Sequence, residues 1–152
     1  MYPRLVSLTI LTVVGVTLTS AALTAICITA TLEQQFAASS VVFVGVATAQ
    51  EVETATEIVQ APATTARWQR TITTFKVEQV WKGPSDTTMR VRTCGENEGD
   101  CSVSFAFQVG AKYLVFASGA PLQTSRCDPT SLVERAGPTL DWLKDKPRKT
   151  LP

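Results

Sequence analysis

Four cysteines, Cys27, Cys94, Cys101 and Cys127, carry the most distinctive chemistry in this chain of 152 residues. Such a set either oxidises to two disulfides or ligates a zinc ion through four thiolates. Zinc knuckles are built on CxxC spacings, and none occurs among these positions, so the disulfide reading is the stronger. Four cysteines allow three pairings. Cys94 and Cys101 close a short loop containing Gly95, Asn97 and Gly99, which favours a local bridge between them. That choice leaves Cys27 for Cys127. Chain entropy gives the long bridge ~4.7 kcal/mol and the short one ~2.5 kcal/mol.

The other reactive groups point to no catalysis. The chain has no histidine, which removes Ser-His-Asp and Cys-His nucleophiles and every zinc site that uses imidazole. Glu96, Glu98 and Asp100 offer oxygen ligands of the kind calcium takes, but a solvated acidic loop between two cysteines is the commoner case. No cofactor and no metal is assigned. No carboxylate sits in an apolar run that would raise its pKa for acid–base work, and there is no glycine-rich phosphate loop. The sequence reads as a non-enzyme. Arg90 and Arg92 share one face of a predicted strand and suit an anionic partner or an oligonucleotide. Against that, 14 Lys+Arg balance 13 Asp+Glu, for a net charge of +1. A nucleic-acid binder needs a basic footprint, so nucleic acid is excluded as a partner and the solvated-face reading preferred. Trp68 and Trp81 flank a predicted strand, as core or rim residues more than as a binding patch.

Those cysteines imply an oxidising compartment, and the N-terminus agrees. Between Arg4 and Glu33 no residue is charged, and Leu5 to Leu32 is rich in Leu, Val, Ile, Ala and Thr. A basic start followed by an apolar stretch reads as a secretory signal, with Ser20-Ala21-Ala22 and Leu23-Thr24-Ala25 as cleavage positions. The alternative is an uncleaved anchor, since the run exceeds the ~20 residues that span a bilayer. Recurrent threonines dilute its hydrophobicity, and the secreted reading is preferred. The expected organisation is a signal peptide over residues 1–25, one domain over 26–137, and a helical turn with a loose tail over 138–152.

The elements that must position the cysteines follow from pattern. Thr31-Leu32-Glu33-Gln34 is a capping box that opens a short helix ending near Ser39-Ser40. Val41 to Ala47 reads as a buried strand, with Gly45 marking a bulge or a close backbone approach. Residues 48–66 read as a frayed strand end and a mobile loop. Trp68 to Trp81 is a long strand whose apolar parity switches between Val77 and Val80, which predicts a bulge near Glu78-Gln79. Thr87 to Thr93 alternates, with Met89, Val91 and Thr93 on one face. Ser102 to Val109 alternates again. Lys112 to Ser118 is apolar on both parities and should be a central strand buried on both sides. Leu122 to Arg126 suggests a short strand, and Ser131–Ala136 and Thr139–Lys144 suggest helical turns. The expected core includes Phe43, Phe75, Val77, Val80, Val91, Tyr113 or Leu114, Val115 and Phe116. Antiparallel strands at such spacing suggest a small barrel or sandwich.

Four stretches occur in a familiar order. They are Leu32 to Gly45, Phe75-Lys76-Val77-Glu78-Gln79-Val80-Trp81-Lys82-Gly83, Phe107 to Ala117, and Thr124-Ser125-Arg126-Cys127-Asp128-Pro129-Thr130. Together they resemble the bacterial proteins related to tissue inhibitors of metalloproteinases, the netrin-like (NTR) OB-fold family. The resemblance covers about residues 25–130. It implies a mainly β fold: a five-stranded OB-fold barrel with a short N-terminal helix and a C-terminal helical turn. It also implies an N-terminal segment stapled to the barrel, here Cys27-Ile28-Thr29-Ala30, as the partner-binding ridge. Family members usually begin with Cys-x-Cys; Ala25 replaces the first cysteine, Cys27 matches the second, and Cys101 matches the family partner of the missing one. In animal members the first cysteine chelates the protease zinc through its α-amine and carbonyl. In this chain, cleavage after Ala22 or Ala25 leaves Leu23 or Ile26 first. The resemblance thus implies a secreted, monomeric, disulfide-stabilised binding domain, a metalloendopeptidase inhibitor whose partner is a zinc metalloprotease. The alternative is a non-inhibitory exported module that binds another extracellular protein or a glycan.

Overall fold

The capping box forms as its spacing requires. Thr31 Oγ1 accepts from the Gln34 backbone N–H at 3.2 Å, and Gln34 Oε1 accepts from the Thr31 N–H at 2.9 Å. It opens helix α1 (Leu32–Ala38) in the computed structural model, which describes residues 27, 30–59, 64–94 and 105–152. The expected signal peptide, Ile28, Thr29, Cys101 and the acidic loop with Glu96, Glu98 and Asp100 lie outside the described residues. At its far end α1 is capped by a lysine: Lys82 Nζ donates to the carbonyls of Phe36 and Ala37, at 2.7 and 2.8 Å. A cation on the last carbonyls of a helix satisfies orphaned acceptors and opposes the dipole.

After α1 come β1 (Val41–Val59), β2 (Thr64–Lys82), β3 (Thr88–Cys94), β4 (Lys112–Ala117) and β5 (Ser131–Leu132). A single 3-10 turn (Val133–Arg135) and helix α2 (Gly137–Leu143) close the order. The strands form one antiparallel sheet in the order β3-β2-β1-β4-β5. Residues 41–47 of β1 and 113–117 of β4 lie inside it and are apolar on both parities, because both faces of the sheet are covered there. On one face Phe43, Phe75, Val77, Val80, Met89, Val91, Phe107, Tyr113 and Val115 form the larger cluster, with Leu122, Leu132 and Leu151 against it. On the other, Val42, Val44, Trp81, Leu114 and Phe116 pack under Ala136 and Leu143, with Phe36 of α1 and Leu140 and Trp142 of α2 beside them. Trp81 donates its indole N–H to the Leu143 carbonyl at 3.0 Å, which ties α2 to the sheet.

The parity switch in β2 has its cause in the register. Val44 pairs with Gln79 and Gly45 with Val77, so Glu78 is the extra residue between them. Gly45 is also where two backbones crowd: a Cβ there would lie 2.8 Å from the Lys76 carbonyl oxygen.

The OB barrel expected from the resemblance does not form. The sheet is open, with β3 and β5 at its two ends and no ladder joining them. β3 meets the chain after β4 through one isolated bridge, Arg92 with Gln123, and its two hydrogen bonds to Leu122 and Thr124. Gly119, at φ +85°, turns the chain back after β4, and residues 122–124 meet β3 at that single parallel bridge without forming a ladder with it. The OB-fold and netrin-like descriptions fall with the barrel. So do the tissue-inhibitor-like and metalloprotease-inhibitor descriptions that rested on it. What forms is a mainly β domain with a five-stranded open antiparallel sheet and two short helices.

Three local readings also change. Of the stretch read as a frayed end and loop, residues 48–59 and 64–66 belong to a hairpin arm, since β1 and β2 stay paired from Val42 with Lys82 to Val59 with Thr64; residues 60–63 lie outside the described residues. Leu122 to Arg126 contributes only two isolated bridges, from Gln123 to Arg92 and to Ser118, and residues 105–108 are irregular. Ser131 and Leu132 form β5, so only residues 133–135 make the helical turn expected over 131–136. The C-terminal segment joins the fold at Lys149, whose N–H donates to the Val80 carbonyl at 2.8 Å.

Candidate partner-binding site

Cys27 and Cys127 are joined by a disulfide, with their Cα atoms 5.2 Å apart and a sequence separation of 100. Cys27 is exposed and Ala30 half-buried. This bridge and the capping box fix the chain at both ends of the 27–30 segment. On the other side of the bridge, residues 124–130 form a tight turn around Asp128. Its carboxylate accepts from the Ser125 backbone N–H at 2.7 Å and from the Ser125 hydroxyl at 2.9 Å. Gln35 of α1 donates its side-chain amide to the Cys127 carbonyl at 3.3 Å, so helix, bridge and turn form one corner.

That corner is anchored to the sheet by a buried hydroxyl. Thr130 Oγ1 accepts from the Phe116 N–H at 2.9 Å and donates to the Phe116 carbonyl at 3.1 Å, completing the pairing of a β4 residue as a neighbouring strand would. Thr124 Oγ1 lies 2.8 Å from it and supplies the remaining donor. Replacing Thr130 by valine keeps the shape and removes the partner of both Phe116 groups. Each buried group left unpaired costs about 1–3 kcal/mol. Thr130→Val is therefore expected to lower the unfolding midpoint in urea, while Thr130→Ser retains most of it. Equal loss in both variants would show that the methyl, not the hydroxyl, is what matters.

α1 is held to α2 by Trp142, whose indole N–H donates to Glu33 at 2.7 Å and whose ring packs edge-on to Phe36 at 5.7 Å. Lys146 lies over the Trp142 ring, 4.4 Å from its centroid. Hydrogen bonds, from the backbone first and then from the Trp142 indole, hold the Glu33 carboxyl below the usual carboxylate range. A lowered folded-state pKa means the clasp contributes fully above the ordinary carboxylate value and is lost as pH falls through the lowered one. The indole N–H resonance of Trp142 should shift on acidification, and Glu33→Gln should abolish that titration. A shift that persists in the variant would assign it to another group.

The remaining sequence candidates are placed as follows. Arg90 and Arg92 project toward glutamates across the sheet, pairing with Glu51 and Glu53 at 3.1 Å each. The cleft they line with Glu53, Ile72, Pro121 and Leu122 is thus charge-balanced by the two glutamates. Trp81 is buried core. Among the described residues no group of three His, Cys, Asp or Glu gathers as a metal site. No helix among them is long and apolar enough to cross a membrane. Sequence reasoning missed Thr130 and Asp128; the run Ser125-x-x-Asp128 is the signal of the turn. No protein-family model matches this chain, and no curated protein matches it.

Proposed function

We propose that this chain is an exported, disulfide-stapled binding domain that holds another extracellular protein through residues 27–30 and the adjoining 124–130 turn, without catalysing a reaction. The observation that carries this reading is the Cys27–Cys127 bridge. It ties the exposed Cys27 to a turn already braced by Asp128 and Thr130. A segment held in place loses less conformational freedom on binding than a free tail does. Export is supported by the uncharged apolar stretch between Arg4 and Glu33 and by a disulfide, which persists in oxidising compartments.

Photo-crosslinking in the source cell tests the reading. A benzophenone side chain placed at Arg126, exposed on the turn, should capture one defined extracellular protein. The same group at Val52, exposed on the hairpin arm, should not. The same adduct from both positions, or none from Arg126, would sink the proposal. Inhibition of a zinc metalloendopeptidase that disappears on N-acetylation would overturn it in favour of amine chelation, because a zinc ligand must be unprotonated.

A further inference from the structure

We propose a second binding site, for the C-terminal carboxylate of an extended peptide ending in an apolar residue, in the cleft between residues 105–108 and β5. The cleft has a volume of about 340 Å³ and is lined by Phe105, Gln108, Tyr113, Ser131, Leu132 and Arg135. Its lining residues are not those of the Cys27 corner, although Ser131 directly follows the 124–130 turn.

One wall is apolar. Phe105 is half-buried, its ring 4.8 Å from Phe107 and 6.0 Å from Tyr113, and Leu132 is half-buried beside the same cluster. An apolar side chain laid against them removes carbon surface from water on both partners. The rest of the lining donates hydrogen bonds. Arg135 is exposed, and among the described residues it has neither an ion pair nor a hydrogen bond, unlike Arg90 and Arg92 with their glutamates. The Gln108 side-chain amide and the Ser131 hydroxyl are likewise unengaged among the described residues. A guanidinium flanked by neutral donors matches a carboxylate, which accepts through both oxygens.

Backbone geometry selects a peptide over a free acid. β5 is the last strand of the sheet, and it pairs on one side only, with Tyr113 and Leu114 of β4. Both β5 residues line the cleft, so an extended peptide entering it meets an edge whose other side has no strand among the described residues. Such edges accept an added strand through main-chain hydrogen bonds. Arg135 ends the 3-10 turn that follows β5, so a strand added parallel to β5 would finish beside its charge.

The experiment is an amide NMR titration of the full chain with a hexapeptide ending in phenylalanine. The free-acid peptide is expected to shift Gln108, Ser131 and Leu132. Arg135→Gln should weaken it by about tenfold or more, as losing a charged hydrogen bond does, with the urea midpoint unchanged. Equal binding of the C-terminally amidated peptide would overturn the carboxylate assignment. Equal binding of hydrocinnamate would overturn the peptide assignment, and no shift at millimolar peptide would overturn the site.

Discussion

Replacing Cys27 and Cys127 together by alanine is expected to lower the unfolding free energy by about 4–5 kcal/mol. The bridge spans 100 residues of sequence. Cross-linking ends that far apart removes ~4.7 kcal/mol of loop-closure entropy from the unfolded chain, and native bridges in small secreted domains are typically worth about 2–5 kcal/mol. Domains of this size have about 5–15 kcal/mol in all, so the loss is a large share of the total. The double replacement is the cleaner variant, because a single one leaves a thiol free to exchange with the other cysteines. Urea unfolding reads the effect, and the slope should rise as well, since an uncrosslinked unfolded chain exposes more surface. A midpoint within error of the parent would mean that the bridge contributes little.

Phe75→Ala is expected to cost about 3–5 kcal/mol. Phe75 is fully buried at the centre of the larger cluster. Its ring meets Phe43 at 5.5 Å, Phe107 at 4.9 Å and Tyr113 at 6.3 Å, all edge to face. Truncation opens a cavity between strands β1, β2 and β4 and the 105–108 segment, and neighbours tied into ladders collapse only partly. Phe75→Leu, which keeps most of the volume, should cost roughly 1–2 kcal/mol by comparison. Val52→Ala is the control, because Val52 is 65% exposed and should change stability by under about 0.5 kcal/mol. A Phe75→Ala loss as small as that control would place the core elsewhere.

The parts of this fold that were legible in sequence are those set by local pattern. The Thr31–Gln34 box, the alternation of Met89 and Val91, and the two-sided apolar run of β4 each report their own surroundings. The outer hairpin arm was not legible, because at Glu51 to Thr54 both faces are exposed and backbone pairing alone holds the strand. Phe105 and Phe107 mimic a strand by parity. Instead both rings join the aromatic cluster, and the Gln108 N–H donates to the Tyr113 hydroxyl at 2.9 Å instead of a ladder partner. The barrel was read from resemblance, and closure is a contact between distant segments that no local pattern encodes. The corner at Cys127 was partly legible: spacing pointed to the cysteines, whereas Thr130 acts through one hydroxyl whose partner, Phe116, lies on another strand. Arg135 carried no signal, since a lone exposed arginine looks the same with or without a cleft beneath it.

The long bridge also makes residues 27 to 127 a covalent ring. A single backbone cut by a protease anywhere within it produces a nicked chain and not two molecules. β1 to β4 all lie inside that ring, while β5 and α2 follow it. A nicked molecule would therefore keep its mass in a non-reducing gel and separate into fragments only after reduction. In an environment rich in proteases, the first cut would leave the two pieces together, with the sheet still holding them in register.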